Sequence, residues 1–267
     1  MKFKSVTRLS AAAVVLPISM AAAAHAASIQ VSVTNEQAEE TGVYITPLIS
    51  MFHDGGFDTF DVGGFASPSL EELAEEGNGA PILGDLASAG GTGGPVFGPA
   101  GFGSGEGQPP VIDPGETASA VFSVSPGLRY FSYLSMIIPS NDLFIGNSDP
   151  LANEIFDLAG NFLGASIQVF TSNVYDGGTE LNDNLGAAFN DGGGTATGTS
   201  EAIVLAGDLG FILNGEGTVA GTTVALPEGA TLLATIEVSQ VPLPAAAPLL
   251  LAGLGGLGFA ARRRKSR

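Results

Sequence analysis

Residues 28–34 read SIQVSVT, where Ile29, Val31 and Val33 alternate with polar neighbours. That period of two predicts a strand with one buried face. Residues 43–52 (VYITPLISMF) are apolar enough for a second strand, with Pro47 marking an edge or a bulge. The pattern then changes. Ser67 as N-cap, Pro68 at the first helical position, acids in the first turn and Gly77 at the stop predict a short helix. A second short helix fits residues 80–89. Residues 90–110 are dominated by Gly and Pro and read as a flexible loop. Strand signals return at 117–124, 130–138, 166–171, 201–205 and 230–239, separated by Gly, Pro, Asn and Asp. Several strands at this spacing predict an all-β, antiparallel β-sandwich with a short helical insert. No repeat period is visible, and the phenylalanines within the strands are assigned to the core.

Both ends read as addresses. Residues 1–26 have a basic start, an apolar stretch and Ala24-His25-Ala26 as a cleavage site, the parts of a secretory signal. At the other end VPLPA (241–245) is followed by an apolar segment over 246–261, expected to be a helix in the membrane, and then by RRRKSR. The apolar stretch is near the lower limit for crossing a bilayer, and the arginines would hold that end in the cytoplasm. Motif, short span and Arg cluster resemble the PEP-CTERM class of sorting signals in its VPLPA variant. The resemblance implies a Gram-negative exporter, processing by an exosortase-type membrane enzyme, and a secreted or cell-surface product. Membrane contact is then confined to the C-terminal segment before processing. The expected division is 1–26 signal, 27–240 body, and 241–267 sorting signal.

Charge narrows the function. The chain carries 27 acids against nine Lys and Arg, for a net charge of −18. All the acids lie between Glu36 and Glu237, where Arg129 is the sole cation, so the body stands at −26. Such a surface cannot track a phosphate backbone, which excludes nucleic acid. The absence of Cys removes disulfides, thiolate chemistry and Cys-zinc sites. His53 is the body's sole histidine and is read as structural, hydrogen-bonded near the helix; Arg129 is expected to pair with an acid or cap a turn. The Gly-rich runs 90–94 and 191–194 and the stretch 182–186 match no phosphate or calcium motif, and read as plain loops.

Two segments carry candidate chemistry. In MIIPSNDLFIG (136–146) an apolar strand runs into a loop that holds Asp142. In YDGGTE (175–180) two glycines allow a tight turn that could aim Asp176 and Glu180 at one point. Carboxylates gathered on loops are what a hard cation such as Ca²⁺ requires, although Asp and Asn also simply make turns. MIIPSNDLFIG followed by YDGGTE resembles the bacterial form of the spondin N-terminal domain family. So does the upstream pattern of His53, Phe57-Asp58-Thr59-Phe60, Gly63, Ala66-Ser67, Leu70, Ala74-Glu75 and Gly77. The resemblance implies a sandwich shaped like a C2 domain and a bound Ca²⁺ held by Asp142, Asp176 and Glu180. It departs at Glu180, where the animal members usually have Asp, and in lacking their cysteines. The resulting expectation is a non-enzymatic, calcium-binding surface or matrix protein acting in adhesion, with an unknown extracellular-matrix or surface ligand. The alternative is a secreted glycoside hydrolase using Asp176 and Glu180 as its carboxylate pair.

Overall fold

The structure is a computed structural model that describes residues 26–99 and 110–241. The described chain is mostly β, in two antiparallel sheets with three short helices. The first sheet has four strands: β1 (Ala27–Asn35), β5 (Thr117–Val124), β8 (Ala165–Phe170) and β11 (Leu232–Gln240), in the order β5-β1-β11-β8. The second has β2 (Tyr44–Ile45), β3 (Leu48–His53), β4 (Thr92–Val96), β6 (Tyr130–Ile138), β7 (Leu143–Gly146), β9 (Tyr175–Asp176) and β10 (Val204–Leu205). Its order is β10-β9-β7-β6-β3-β4, with β2 also beside β6.

Alternation builds the first sheet. Ile29, Val31 and Val33 of β1 and Ile236 and Val238 of β11 enter one core with Phe52, Phe131, Tyr133 and Ile145 of the second sheet. The second sheet is covered on its other side too. Leu70, Leu73 and Ala74 of α1 (Pro68–Glu76) and Ile82 and Leu86 of α2 (Ala80–Ser88) pack with Ile49, Met51, Leu134 and Phe144. Burial on both faces explains why β3 and β6 read as continuous apolar runs instead of alternating. The helix boundaries follow their caps. Ser67 Oγ accepts from Leu70 N, and Gly77 closes α1 at φ 67°, a left-handed conformation suited to glycine.

Several expectations need correction. The run 43–52 is two strands, not one: Ile45 faces Ile137 and Ile49 faces Leu134, so one extra residue bulges out at Thr46-Pro47. That strand is internal, so Pro47 marks the bulge and not an edge. The loop expected over 90–110 contains β4, which pairs with β3; residues 100–109 lie outside the described residues. The glycines of β4 disguise a close approach, since a Cβ on Gly93 would stand 2.2 Å from Ser50 O. Of 201–205 only the last two residues are strand, because Ile203 instead exchanges backbone bonds with Gly63 and Gly64. The short strands β7 and β9 and the one-turn helix α3 (Leu209–Leu213) escaped the pattern. Phe52 and Phe131 of the expected strands fill the core, joined by Phe144 and Phe156 from outside them, whereas Phe170 of the expected strand 166–171 is exposed, as are Phe65, Phe97 and Phe211. No helix among the described residues is long and apolar enough to cross a membrane. The expected signal segment and the apolar tail lie outside them, apart from Ala26 and Val241.

Candidate carboxylate site

β6 leaves the middle of the second sheet at Ile138 and turns into β7 through Ser140, Asn141 and Asp142, all fully buried. Ser140 fastens the turn: its hydroxyl donates to Ile137 O and accepts from Leu143 N. β7 then pairs with β9, and Leu143 lies opposite Asp176. This register brings the two segments singled out in the sequence against each other.

Asp142 is the centre of the contact. Its Oδ2 accepts from Thr179 N at 2.8 Å, Glu180 N at 3.1 Å and Thr179 Oγ1 at 3.2 Å. Its backbone oxygen accepts from Gly177 N at 3.2 Å. The second loop must therefore curl tightly over Asp142. Gly178 makes this possible at φ 68°, where a Cβ would stand 2.6 Å from Glu201 O. Asn141 holds the loop further along, with Nδ2 donating to Glu180 Oε2 and Leu185 O, and Oδ1 accepting from Asn184 N. Asp176 accepts from Gly178 N through Oδ1 and from Asn182 Nδ2 through Oδ2.

The electrostatics are strained. Burial pushes the Asp142 carboxyl above its ordinary range, against the lowering pull of the Glu180 and Thr179 amides. Burial also raises Asp176 and Glu180, and the Asp142 charge adds to both. Glu75 of α1 is raised chiefly by burial, against a lowering influence of the Thr179 side chain, and further by the charges of Glu180, Glu71 and Asp142. Asp142 Oδ1 is buried without a hydrogen-bond partner, an uncommon state for a carboxylate oxygen. The donor set of hard oxygens with one orphaned acceptor fits a hard cation chemically. Even so, no three His, Cys, Asp or Glu side chains among the described residues lie close enough to hold an ion together. Asp142 Oδ2 and both Asp176 oxygens are instead turned onto loop donors.

Sequence reading found the three carboxylates and missed their supports. Asn182 and Asn184 lie in the stretch read as a plain loop, yet one holds Asp176 and the other meets Asn141. Glu75 entered only through the upstream family-like pattern and not as a site residue, because helix α1 is distant in sequence from both loops.

His53 lies elsewhere, 1% exposed at the end of β3. Its Nε2 meets Ser132 Oγ at 2.9 Å on β6, and its Nδ1 accepts from Gly55 N at 3.2 Å. Its role is structural, but its partners belong to β6 and its own turn, not to the helix. Arg129 pairs with Glu154 and donates to Phe156 O, as an acid-pairing residue should. Two clefts, of about 310 and 350 Å³, lie away from the carboxylates and share Pro227 in their walls.

No curated protein matches the chain. The family found is not an enzyme family. Its match ends ahead of Asp176 and Glu180, so the second loop rests on the geometry above. Two family models match parts of the chain: residues 37–152 match the Spondin_N family model, and residues 240–265 match the PEP-CTERM protein-sorting motif.

Proposed function

We propose that the protein is an exported, non-enzymatic surface or matrix protein whose Asp142, Asp176 and Glu180 hold Ca²⁺. The sorting motif supports export and processing by an exosortase-type enzyme. The observation that carries the calcium reading is the buried Asp142 Oδ1, left without a partner beside two further carboxyls that burial and mutual charge disfavour. An ion of charge +2 would offset that repulsion, with backbone oxygens and water completing a shell of about six to eight ligands. The loop would have to release some of its present bonds to Asp176 to do so. Adhesion to an extracellular ligand is the theme this reading suggests. A glycosidase pair is disfavoured, since neither of the two clefts described is lined by Asp176 or Glu180.

The test is calorimetry and thermal unfolding of the full chain, in chelator and then in Ca²⁺ or Mg²⁺ at equal ionic strength. Ca²⁺ should raise the melting temperature more than Mg²⁺, which demands a smaller and stricter octahedron. Asp176→Asn should abolish most of that gain while stabilising the chelated protein, because it removes a disfavoured charge. Asp191→Asn, on another loop, should change neither. Absence of binding at millimolar Ca²⁺, or identical behaviour of the two variants, would refute the site.

A further inference from the structure

The two sheets treat their edges differently. A strand edge presents unpaired N–H and C=O groups, and natural proteins blunt it with charge, proline or extreme shortness. The second sheet follows that rule. Its edge strand β4 contains Pro95, and its other edge, β10, is two residues long. The first sheet does not. Its edges are β5, TASAVFSV, and β8, ASIQVF, and neither has a charge or a proline. Among the described residues, the backbone bonds made outside the ladders include none from 117–124 or 165–169. Val121 on β5 is 60% exposed and Phe170 on β8 is 36% exposed.

A second observation concerns β8 alone. Its first five residues, ASIQV at 165–169, repeat the first five of β1, ASIQV at 27–31. In both copies the first, third and fifth residues belong to the main core or pack against it, so both present the same face to the core. Both strands pair antiparallel with β11, one on each side of it. β1 carries strands on both flanks, β5 and β11. The same pentapeptide in β8 therefore suits a strand on each side, yet β8 has only β11.

We propose that the open edge of β8 takes β5 of a second copy of this chain. The occupant follows from direction and charge. β5 and β11 both run antiparallel to β1, and β8 runs antiparallel to β11, so β5 of a second copy continues the alternation with its core face kept inward. Two bodies at −26 repel almost everywhere, and these uncharged strands are where contact meets least repulsion. The contact is heterologous, joining unlike edges, so each added copy exposes a fresh β8 and a fresh β5. Such contacts build open chains or closed rings, not simple twofold dimers. This inference is independent of the calcium reading.

The experiment is sedimentation velocity on the full chain in chelator. A mild detergent keeps the apolar C-terminal segment from associating by itself. Average mass should rise with protein concentration. Val121→Lys charges the β5 edge and Gln168→Lys the β8 edge, and each should weaken association about tenfold or more. Gln30→Lys places the same charge at the matching position of the repeat, on the interior strand β1, and should associate like the parent. Melting curves check that all variants fold. The decisive arm mixes Val121→Lys, whose β8 is intact, with Gln168→Lys, whose β5 is intact: the mixture should stop at a pair. A parent that stays monomeric, association equal in all variants, or a mixture that remains monomeric would overturn the proposal.

Discussion

At the scale of single residues, burial decides what each ionisable group does. Asp142 and His53 are both almost fully enclosed, and each is disfavoured in its charged form. They respond to acid in opposite directions. The folded state lowers the His53 pKa, chiefly by burial and partly offset by the charge of Asp54. Its Nδ1 already receives the Gly55 N–H, so a second proton has no place there. The unfolded chain thus binds the proton more readily. This contribution is complete above the ordinary pKa of about 6.5 and is lost as pH falls below it. The raised carboxyls Asp142, Asp176 and Glu180 act with the other sign, costing stability where they must ionise. Wild type and His53→Gln should therefore diverge between roughly pH 7 and 5, with the wild type losing melting temperature more steeply. Parallel curves across that window would show that His53 is not held neutral.

At the scale of elements, glycine spacing matters as much as hydrophobic period. β4 reads TGGPV and was invisible as a strand because its glycines and proline carry turn signals. Its glycines do a steric task instead, letting β4 lie close against β3. Gly93→Ala would set a Cβ 2.2 Å from the Ser50 carbonyl, a backbone atom that cannot swing aside. A Cβ on the adjacent Gly94 would meet only the Phe122 ring, at 3.2 Å. Gly93→Ala should cost about 1–3 kcal/mol, the usual range for overpacking, and Gly94→Ala distinctly less. Chemical denaturation of both variants is the check. Equal losses would place the constraint on backbone freedom and not on the approach of β4 to β3. α1 shows the contrary case, an element legible residue by residue, because Ser67, Pro68 and Gly77 act locally on the backbone.

At the scale of the whole molecule, one cation faces 27 acids over the body, and its pairing with Glu154 is the ion pair seen among the described residues. That pair is partly exposed and contributes little, so screening loses almost nothing and relieves much. In chelator the melting temperature should rise from 0.1 M to 1 M NaCl, as the Debye length falls from ~10 Å to ~3 Å. A flat or falling curve would mean that the acids are too widely spread to repel. Sequence by itself determined whatever is local or summed: the strand pattern of β1, β5 and β6, the caps of α1, the acidity, the sorting motif, and Asp142, Asp176 and Glu180 as the residues of interest. Tertiary structure alone decided what depends on neighbours remote in the chain. It made β4 a strand by pairing it with β3, and split 43–52 by the bulge that its register against β6 requires. It brought Glu75 and Asn141 to the second loop and left Asp142 Oδ1 buried without a partner. It also set one ASIQV in the middle of a sheet and the other at its rim, a difference that identical residues cannot encode, since strand order is fixed by the packing of the whole chain.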